Sequence, residues 1–356
     1  MDEPVDVLVA GAGAIGLAVA WRAAQRGLRV RVVERAHAGA GASTAAAGIL
    51  APSRPEEWLG ERGAANLRAI AAWPAFAAEL EDAAGMAIGL RRDGTLRVAR
   101  DEAGRAAIDV AAQALAEADV EHAVLDADGV AAEEPGVRGA VAGLLVPGDA
   151  HVATDRLVDA LARACEGAGV RLTEGVAVAG TLAGPGGAVA GVRLADGTKQ
   201  AAALTVAATG AWSGGASWLP EPVRPDVRPL AGEYLILCGP PVCRRVVRTL
   251  EGSIVPRDGG RLWVGTTVRD AGFEERPRAA AIAAILGHWT SLLPAVGALE
   301  VERVGIGLRP GTPDGRPLVG PSGVPGVALA TGHGREGIIH APLAGAAIAE
   351  LAASAA

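Results

Sequence analysis

The clearest chemical pattern in this chain is Gly11-Ala12-Gly13-Ala14-Ile15-Gly16, followed 23 residues after its first glycine by Glu34. In such a loop the first glycine makes a tight turn, the second lets backbone approach a pyrophosphate, and the third lets a helix pack closely on a strand. A helix starting here offers free N–H groups and a partial positive charge to phosphate oxygens. Glu34 stands where a carboxylate accepts hydrogen bonds from ribose hydroxyls. Six residues matching GxGxxG mean little in a chain with 50 glycines. The setting carries the inference: the apolar run Val5–Ala10 leads into the loop, and the small-residue stretch Ala14–Arg26 leaves it. A dinucleotide site follows, and the loop leaves open whether it takes FAD or NAD.

Arginine is the other residue type with chemical promise. Lys199 is the only lysine, so arginines are common here and each needs its own argument. Arg309, in Gly307-Leu308-Arg309-Pro310-Gly311, carries a planar guanidinium whose paired N–H groups match a carboxylate. The plainer reading is a surface or ion-paired arginine. Arg335 is a second candidate, though it could instead brace its own loop. His333 and His340 are conceivable bases, with a structural or loop-bracing role expected for both. No histidine–carboxylate spacing suggests a metal, and no GxSxG elbow is present. Cys165, Cys238 and Cys243 form no CxxC pair, which fits reduced thiols.

The elements that position these residues can be read coarsely. Strand, helix and strand fill Val5–Ala10, Ala14–Arg26 and Arg29–Val33, with Gly27 as a helix C-cap. Gly39–Pro52 reads as a loop of small residues. Apolar spacing at Leu67, Ile70, Trp73, Phe76 and Leu80 predicts a helix over about 64–84. Arg91–Arg100 predicts a strand pair turning at Asp93-Gly94. Asp155 is expected to cap a helix whose buried face is Leu157, Val158, Leu161, Ala162 and Cys165. Strands follow from Val170 to Ala208, short strands from Pro222 to Val268, and a helix from Pro277 to about Leu293. Val301–Leu308 and Val327–Thr331 read as strands, and a last helix begins near Ile338.

Half of the residues are apolar, enough for a sizeable core, and the formal net charge is −7. That charge argues against nucleic acid or an anionic membrane as partner. No stretch reaches the roughly 20 uninterrupted apolar residues of a membrane span. The acidic start, Met1-Asp2-Glu3-Pro4, is unlike a signal peptide, so a cytoplasmic protein is expected.

Longer motifs carry a resemblance. Gly41-Ala42-Ser43-Thr44-Ala45-Ala46-Ala47-Gly48-Ile49-Leu50-Ala51-Pro52 closely resembles the second FAD loop of the glycine oxidase branch of the D-amino acid oxidase family. The segment 307–317 is similar to that family's substrate-arginine strand and turn, and 332–342 to its final flavin loop and helix. Ile254-Val255-Pro256-Arg257 and Val264-Gly265-Thr266-Thr267 resemble its substrate-domain hairpin, and Ala208–Ser213 its cofactor-closing loop. These motifs stand in family order across nearly the whole chain.

The resemblance implies non-covalent FAD, because Ala45 stands where related amine dehydrogenases carry a flavin-attaching histidine. It assigns FAD to Gly11, Gly13, Ala14, Ile15, Gly16, Glu34, Arg35, Ser43, Thr44, Ala47, Gly48, Val176, Thr209, Gly210, Trp212, Gly334, Arg335, Gly337 and Ile338, with Ser43 and Thr44 as hydroxyl donors. The substrate side would be Arg309, clamping a carboxylate so that Cα faces flavin N5, with Arg335 and Ser253 nearby. Three departures open the pocket beyond what glycine needs. Ser253 replaces a tyrosine that binds the substrate carboxylate, Gly334 replaces a common aromatic, and Glu336 replaces an asparagine. Glu336 is expected either to neutralise Arg335 or to attract a cationic substrate group.

The expected fold is mixed α/β: a Rossmann-like FAD-binding domain from discontinuous segments, 1–85, 150–218 and 305–356, with an inserted antiparallel-sheet substrate domain, 86–149 and 219–304. The resemblance implies an FAD-dependent oxidase of a small amine or amino acid that uses oxygen and yields imine and hydrogen peroxide, with a place in thiamine biosynthesis and a homo-oligomeric state. The alternatives are a secondary-amine dehydrogenase or tailoring oxidase for a bulkier amine, and a non-catalytic flavin-binding sensor.

Overall fold

Runs of apolar residues at period two and period 3.6 sort the chain into two large sheets, a small two-stranded one, and helices packed against them. The computed structural model describes residues 3–355; Met1, Asp2 and Ala356, which the expected domain ranges include, lie outside the described residues. The chain opens with β1 (Val5–Ala10), α1 (Ala14–Ala24), β2 (Val30–Val33), α2 (Ala42–Ala45), β3 (Ile49–Leu50) and α3 (Gly60–Ala84). Next come β4 (Thr95–Ala99), α4 (Glu102–Glu117), β5 (Ala123–Leu125), α5 (Ala127–Glu133), β6 (Ala142–Val146) and β7 (Ala150–His151). Helix α6 (Thr154–Gly167) leads to β8 (Arg171–Thr173), β9 (Val178–Ala183), β10 (Val189–Leu194) and β11 (Lys199–Ala207). The second half holds β12 (Arg228–Cys238), β13 (Val246–Arg248), β14 (Ser253–Pro256), β15 (Arg261–Gly265), α7 (Ala279–Leu292), β16 (Glu300–Gly311), β17 (Leu318–Pro321), β18 (Val327–Thr331) and α8 (Gly337–Ala355).

The first sheet runs β17-β18-β11-β1-β2-β8, parallel from β18 to β8, with β9 and β10 joined to β11. Central β1 is covered on both faces: Val7 and Val9 pack among the helices, while Leu8 packs against Val192 and Leu194 of β10. Helix α1 is built of small residues and lies so close to α8 that a Cβ at Gly345 would fall 2.8 Å from the Ala18 carbonyl oxygen. Trp73 and Phe76 on α3 meet edge to face at 5.4 Å, and Trp73 donates its indole N–H to the Ile339 carbonyl at 3.0 Å. That bond fixes α3 against the first turn of α8. By length and composition α8 could cross a membrane, yet 56% of its apolar window is buried inside the fold.

The second sheet runs β16-β12-β15-β14-β13-β4-β6-β5 and is mostly antiparallel, with one parallel pair, β13 and β4. Alternation splits its faces. Leu96, Leu235, Val247, Ile254 and Val264 point into a core with Trp289 and Leu292 of α7. The opposite face carries Tyr234, Val255 and Trp263, packed against Ala45 and Ile49 of the flavin-like loop. The two sheets therefore meet across that loop.

Several local expectations change. Helix α1 stops at Ala24 because Arg26 and Gly27 donate to the carbonyls of Ala23 and Ala24, which tightens the last turn. Gly39–Pro52 is not all loop: it holds α2, and β3 pairs with β7. Residues 91–100 form no hairpin; Gly94 donates to Asp149 and Arg91 bridges His151, so the chain before β4 is tied to β7 instead. Asp155 sits inside the first turn of α6, whose N-cap is Ala153 without a side-chain bond. Strand β12 is 11 residues long rather than one of several short strands. Helices α4 and α5 were missed, although Asp101 and Asp126 cap them by accepting from Gly104 and Gly129. The two-domain division is a proposal that the sheets support with one adjustment: the expected boundary at 305 cuts β16, whose pairing with β12 continues to Gly311.

Candidate functional site

At the carboxyl ends of β1 and β11 the chain makes the turn that the glycines foretold. Gly11 has φ +111°, and a Cβ there would collide with the Ala208 carbonyl oxygen. A Cβ on Gly16 would strike the Gly11 carbonyl, so Gly16 serves the packing of helix on strand and does not line the cavity. Glu34 accepts from the Ala12 N–H at 2.8 Å and from Ala36 N–H at 3.0 Å, which holds its carboxylate beside the loop. Ser43 Oγ accepts the Ala14 N–H at 2.9 Å, leaving its own hydrogen to donate. Thr44 differs from expectation: its hydroxyl donates to the Gly39 carbonyl at 2.8 Å and faces away from the cavity. Arg35 stacks 3.7 Å over the Trp212 ring. Thr209, Ser213 and Thr331 form a hydroxyl chain, 2.9 and 2.7 Å long, that ties the 209–213 turn to β18.

These groups open onto one cavity of about 1200 Å³, which extends from the glycine loop to the second sheet. Apart from Gly16 and Thr44, every residue singled out from the sequence for cofactor or substrate lines it, Val176 and the 334–338 turn included. The cradle fits a flavin dinucleotide. A Cβ on Gly13 would come within 3.0 Å of Ser43 Oγ, so the backbone there is bare for a diphosphate. Ala45 brings no nucleophile; its carbonyl accepts the Trp263 indole N–H at 3.1 Å. His333 is buried with Nε2 unpartnered, and burial brings its pKa down to about 3, so the ring is neutral.

On the second sheet Arg309 reaches over Gly232, where any Cβ would meet its guanidinium. Its Nη1 donates to the Thr267 carbonyl at 3.3 Å and its Nη2 to Thr266 Oγ1 at 3.0 Å. Among the described residues no carboxylate pairs with it. Burial, then the Arg335 cation, lowers it to about 10, so it is charged at neutral pH. A desolvated guanidinium held in place without an anion is a carboxylate receptor. Arg335 is exposed and likewise pairs with no carboxylate among the described residues.

Glu336 does not neutralise Arg335. On the cavity wall it lies 3.2 Å from Arg62 Nη2 and accepts from Asn66 at 3.1 Å. Arg62 also pairs with the buried Glu57 at 3.2 Å, and His340 Nε2 lies 2.7 Å from Asn66 Oδ1. One cation thus serves two buried carboxylates, and this cluster locks the 333–337 turn onto α3.

Sequence reasoning missed two further cavity residues, Arg97 and Arg248. They are register partners on β4 and β13, and both donate to the Pro52 carbonyl, at 3.1 and 3.2 Å. The available signal was a charged residue at an alternating position inside each of two apolar strands. Abundant arginine elsewhere hid it.

A family model described as FAD dependent oxidoreductase matches residues 6–351. The chain is 32% identical over 360 residues to a glycine oxidase of Geobacillus kaustophilus, covering 99% of this chain and 93% of that protein. It is 33% identical over 352 residues to the bifunctional protein ThiO/ThiG of a Nostoc species, covering 97% of this chain; it spans about half, 52%, of that relative's length. The crystal structure of glycine oxidase from Geobacillus kaustophilus superposes with a TM-score of 0.92 at 29% identity, over 99% of this chain and 95% of that one.

Proposed function

The chain belongs to the FAD dependent oxidoreductase family, and from that membership we propose that it oxidises the carbon–nitrogen bond of a small amine or amino acid, with oxygen as the final acceptor and imine and hydrogen peroxide as products. The observation that carries this reading is Arg309, a buried guanidinium with no anion among the described residues, in the same cavity as the dinucleotide cradle.

When bound, FAD supplies the acceptor for a hydride from the carbon next to nitrogen. The chain's own residues prepare that carbon. Thr266 and Thr267 hold the Arg309 fork, so a carboxylate is fixed at two points and the adjacent carbon has one orientation. The cationic wall of Arg309, Arg335 and Arg248 disfavours an ammonium group. A substrate amine therefore loses its proton to water on entry, which frees the lone pair that drives hydride departure. Neutral His333 adds no competing charge. Ser43, Ala14 and Glu34 would hold the cofactor's diphosphate and ribose, and the 334–338 turn would meet its ring end. The imine then has two alternative fates: water hydrolyses it to a carbonyl compound and an amine or ammonia, or, before that, it is consumed intact in thiazole formation for thiamine.

A second reading has support in Ser253 and Gly334, both small and both on the cavity wall: a substrate bulkier than glycine, as a secondary-amine dehydrogenase or tailoring oxidase would take. A flavin-binding sensor would have no use for a fixed, unpaired Arg309. Peroxide release in air by the FAD-loaded protein, measured across glycine, sarcosine, D-alanine, L-proline and larger secondary amines, separates these. Peroxide from any of them supports the oxidase, bleaching without peroxide supports the dehydrogenase, and neither result with the whole panel refutes both.

A further inference from the structure

The register of the second sheet places a row of side chains on its cavity face. Arg97 pairs with Arg248, Arg248 with Ser253, and Ser253 with Gly265, next to Thr266, whose Oγ1 holds the Arg309 guanidinium. Register partners share a face and lie one strand spacing apart, so two spacings, about 10 Å, separate the β13 and β15 positions. Between them stands Ser253, whose short side chain leaves the corridor clear. All of Arg97, Arg248, Ser253 and Arg309 line the one cavity.

Arg248 is only 6% exposed, yet among the described residues its guanidinium makes a single hydrogen bond, to the Pro52 carbonyl. Guanidinium carries five N–H donors, and those left over on Arg248 open onto the cavity. Arg97 spends its two terminal nitrogens on Ser53 and Pro52 carbonyls. Neither arginine has a carboxylate within ion-pair distance among the described residues; Asp149 and Glu57 act on Arg248 only from further off. Asp149 is itself engaged by the Thr95 hydroxyl at 2.6 Å. Two cations side by side, one with donors to spare, form an incomplete anion site.

We propose that Arg248, backed by Arg97, is a second anion subsite, so that the preferred substrate carries two anionic groups: one held by Arg309 beside the oxidised carbon, the other across the corridor at Arg248. The chemical class is an amino acid or N-substituted amino acid with a further carboxylate. Assigning Arg309 to the first anion rests on the proposed amine oxidation; the second subsite is testable without turnover.

The test is binding to the FAD-loaded protein, read as perturbation of the visible flavin spectrum by glutarate and by pentanoate, which has the same number of carbons and one carboxylate. Glutarate is expected to bind about ten- to a hundredfold more tightly, the range of one charge-assisted contact. In Arg248→Gln that ratio should fall at least fivefold, and in Arg248→Lys, which keeps the charge and loses the fork, to an intermediate value. Ratios are compared between proteins of equal FAD content, so a general loss of fold does not imitate the result. Equal binding of the two acids by the parent protein, or a ratio unaltered in Arg248→Gln, overturns the subsite. Failure of every amine to reduce the flavin would instead refute the proposed oxidation while leaving the binding ratio to be read.

Discussion

Gly232 offers a way to disturb Arg309 without altering any chemical group. It lies on β12 opposite Gly307 of β16, and a Cβ built on it would overlap the Arg309 guanidinium. The obstructing atoms are the far end of a flexible side chain, so in Gly232→Ala the guanidinium should move and the backbone stay. Alanine in a strand is slightly favoured over glycine, by about 0.5–1 kcal/mol, so stability should hold or rise. The displaced fork loses its bonds to Thr266 and Thr267 and its alignment with a carboxylate. One lost charge-assisted contact costs about 1.5–3 kcal/mol, which is about a 10- to 150-fold fall in the rate of flavin reduction at low substrate. Anaerobic stopped-flow in the visible flavin band gives that rate, and thermal unfolding gives the stability. Added to Arg309→Ala, Gly232→Ala should have almost no further effect, since both act through one guanidinium. Full reduction activity in Gly232→Ala, or additive losses in the double variant, would refute the geometry.

Other outcomes follow from the same contacts. Gly11→Ala, with φ +111° and no room before Ala208, should weaken FAD binding about 5- to 150-fold, from about 1–3 kcal/mol of backbone strain; flavin fluorescence released on dilution reports it. Arg62→Met leaves Glu57 and Glu336 buried without their cation and should cost about 3–5 kcal/mol in denaturant unfolding, while Glu336→Gln should cost much less. His151 is buried and neutral, with a pKa of about 4. In the unfolded chain it takes a proton below about 6.5. Its contribution to stability is therefore full above 6.5 and is lost as pH falls toward 4, by up to about 3 kcal/mol. His151→Gln should flatten that acid limb; a limb of unchanged slope would show that His151 is not its source.

Much of the cofactor side was legible because it depends on local sequence. Gly11 and Gly16 are dictated by close backbone contacts, and Glu34 lies one strand away from the loop it serves. The strand–turn–helix at 327–338 was legible for the same reason. Most of what escaped in the site depended on long-range pairing. Nothing near residue 91 says that Arg91 bridges His151 rather than folding back through Gly94. Thr44 is a local exception: its hydroxyl turns to Gly39, five residues back, rather than to the cavity. Adjacency points Glu336 to its neighbour Arg335, whereas the partners that the fold brings to it, Arg62 and Asn66, come from α3. Arg97 and Arg248 become a pair only when β4 and β13 align in register.

The central claim is that a carboxylate held by Arg309 aligns the carbon to be oxidised. Matched amines with and without that carboxylate test it in the unaltered protein: glycine against methylamine, sarcosine against dimethylamine, D-alanine against ethylamine, and L-proline against pyrrolidine. Mixed anaerobically with the yellow holoenzyme, at least one acid should bleach the flavin about a hundredfold faster than its decarboxylated partner. Equal rates within every pair, or bleaching by the amines alone, would contradict the account.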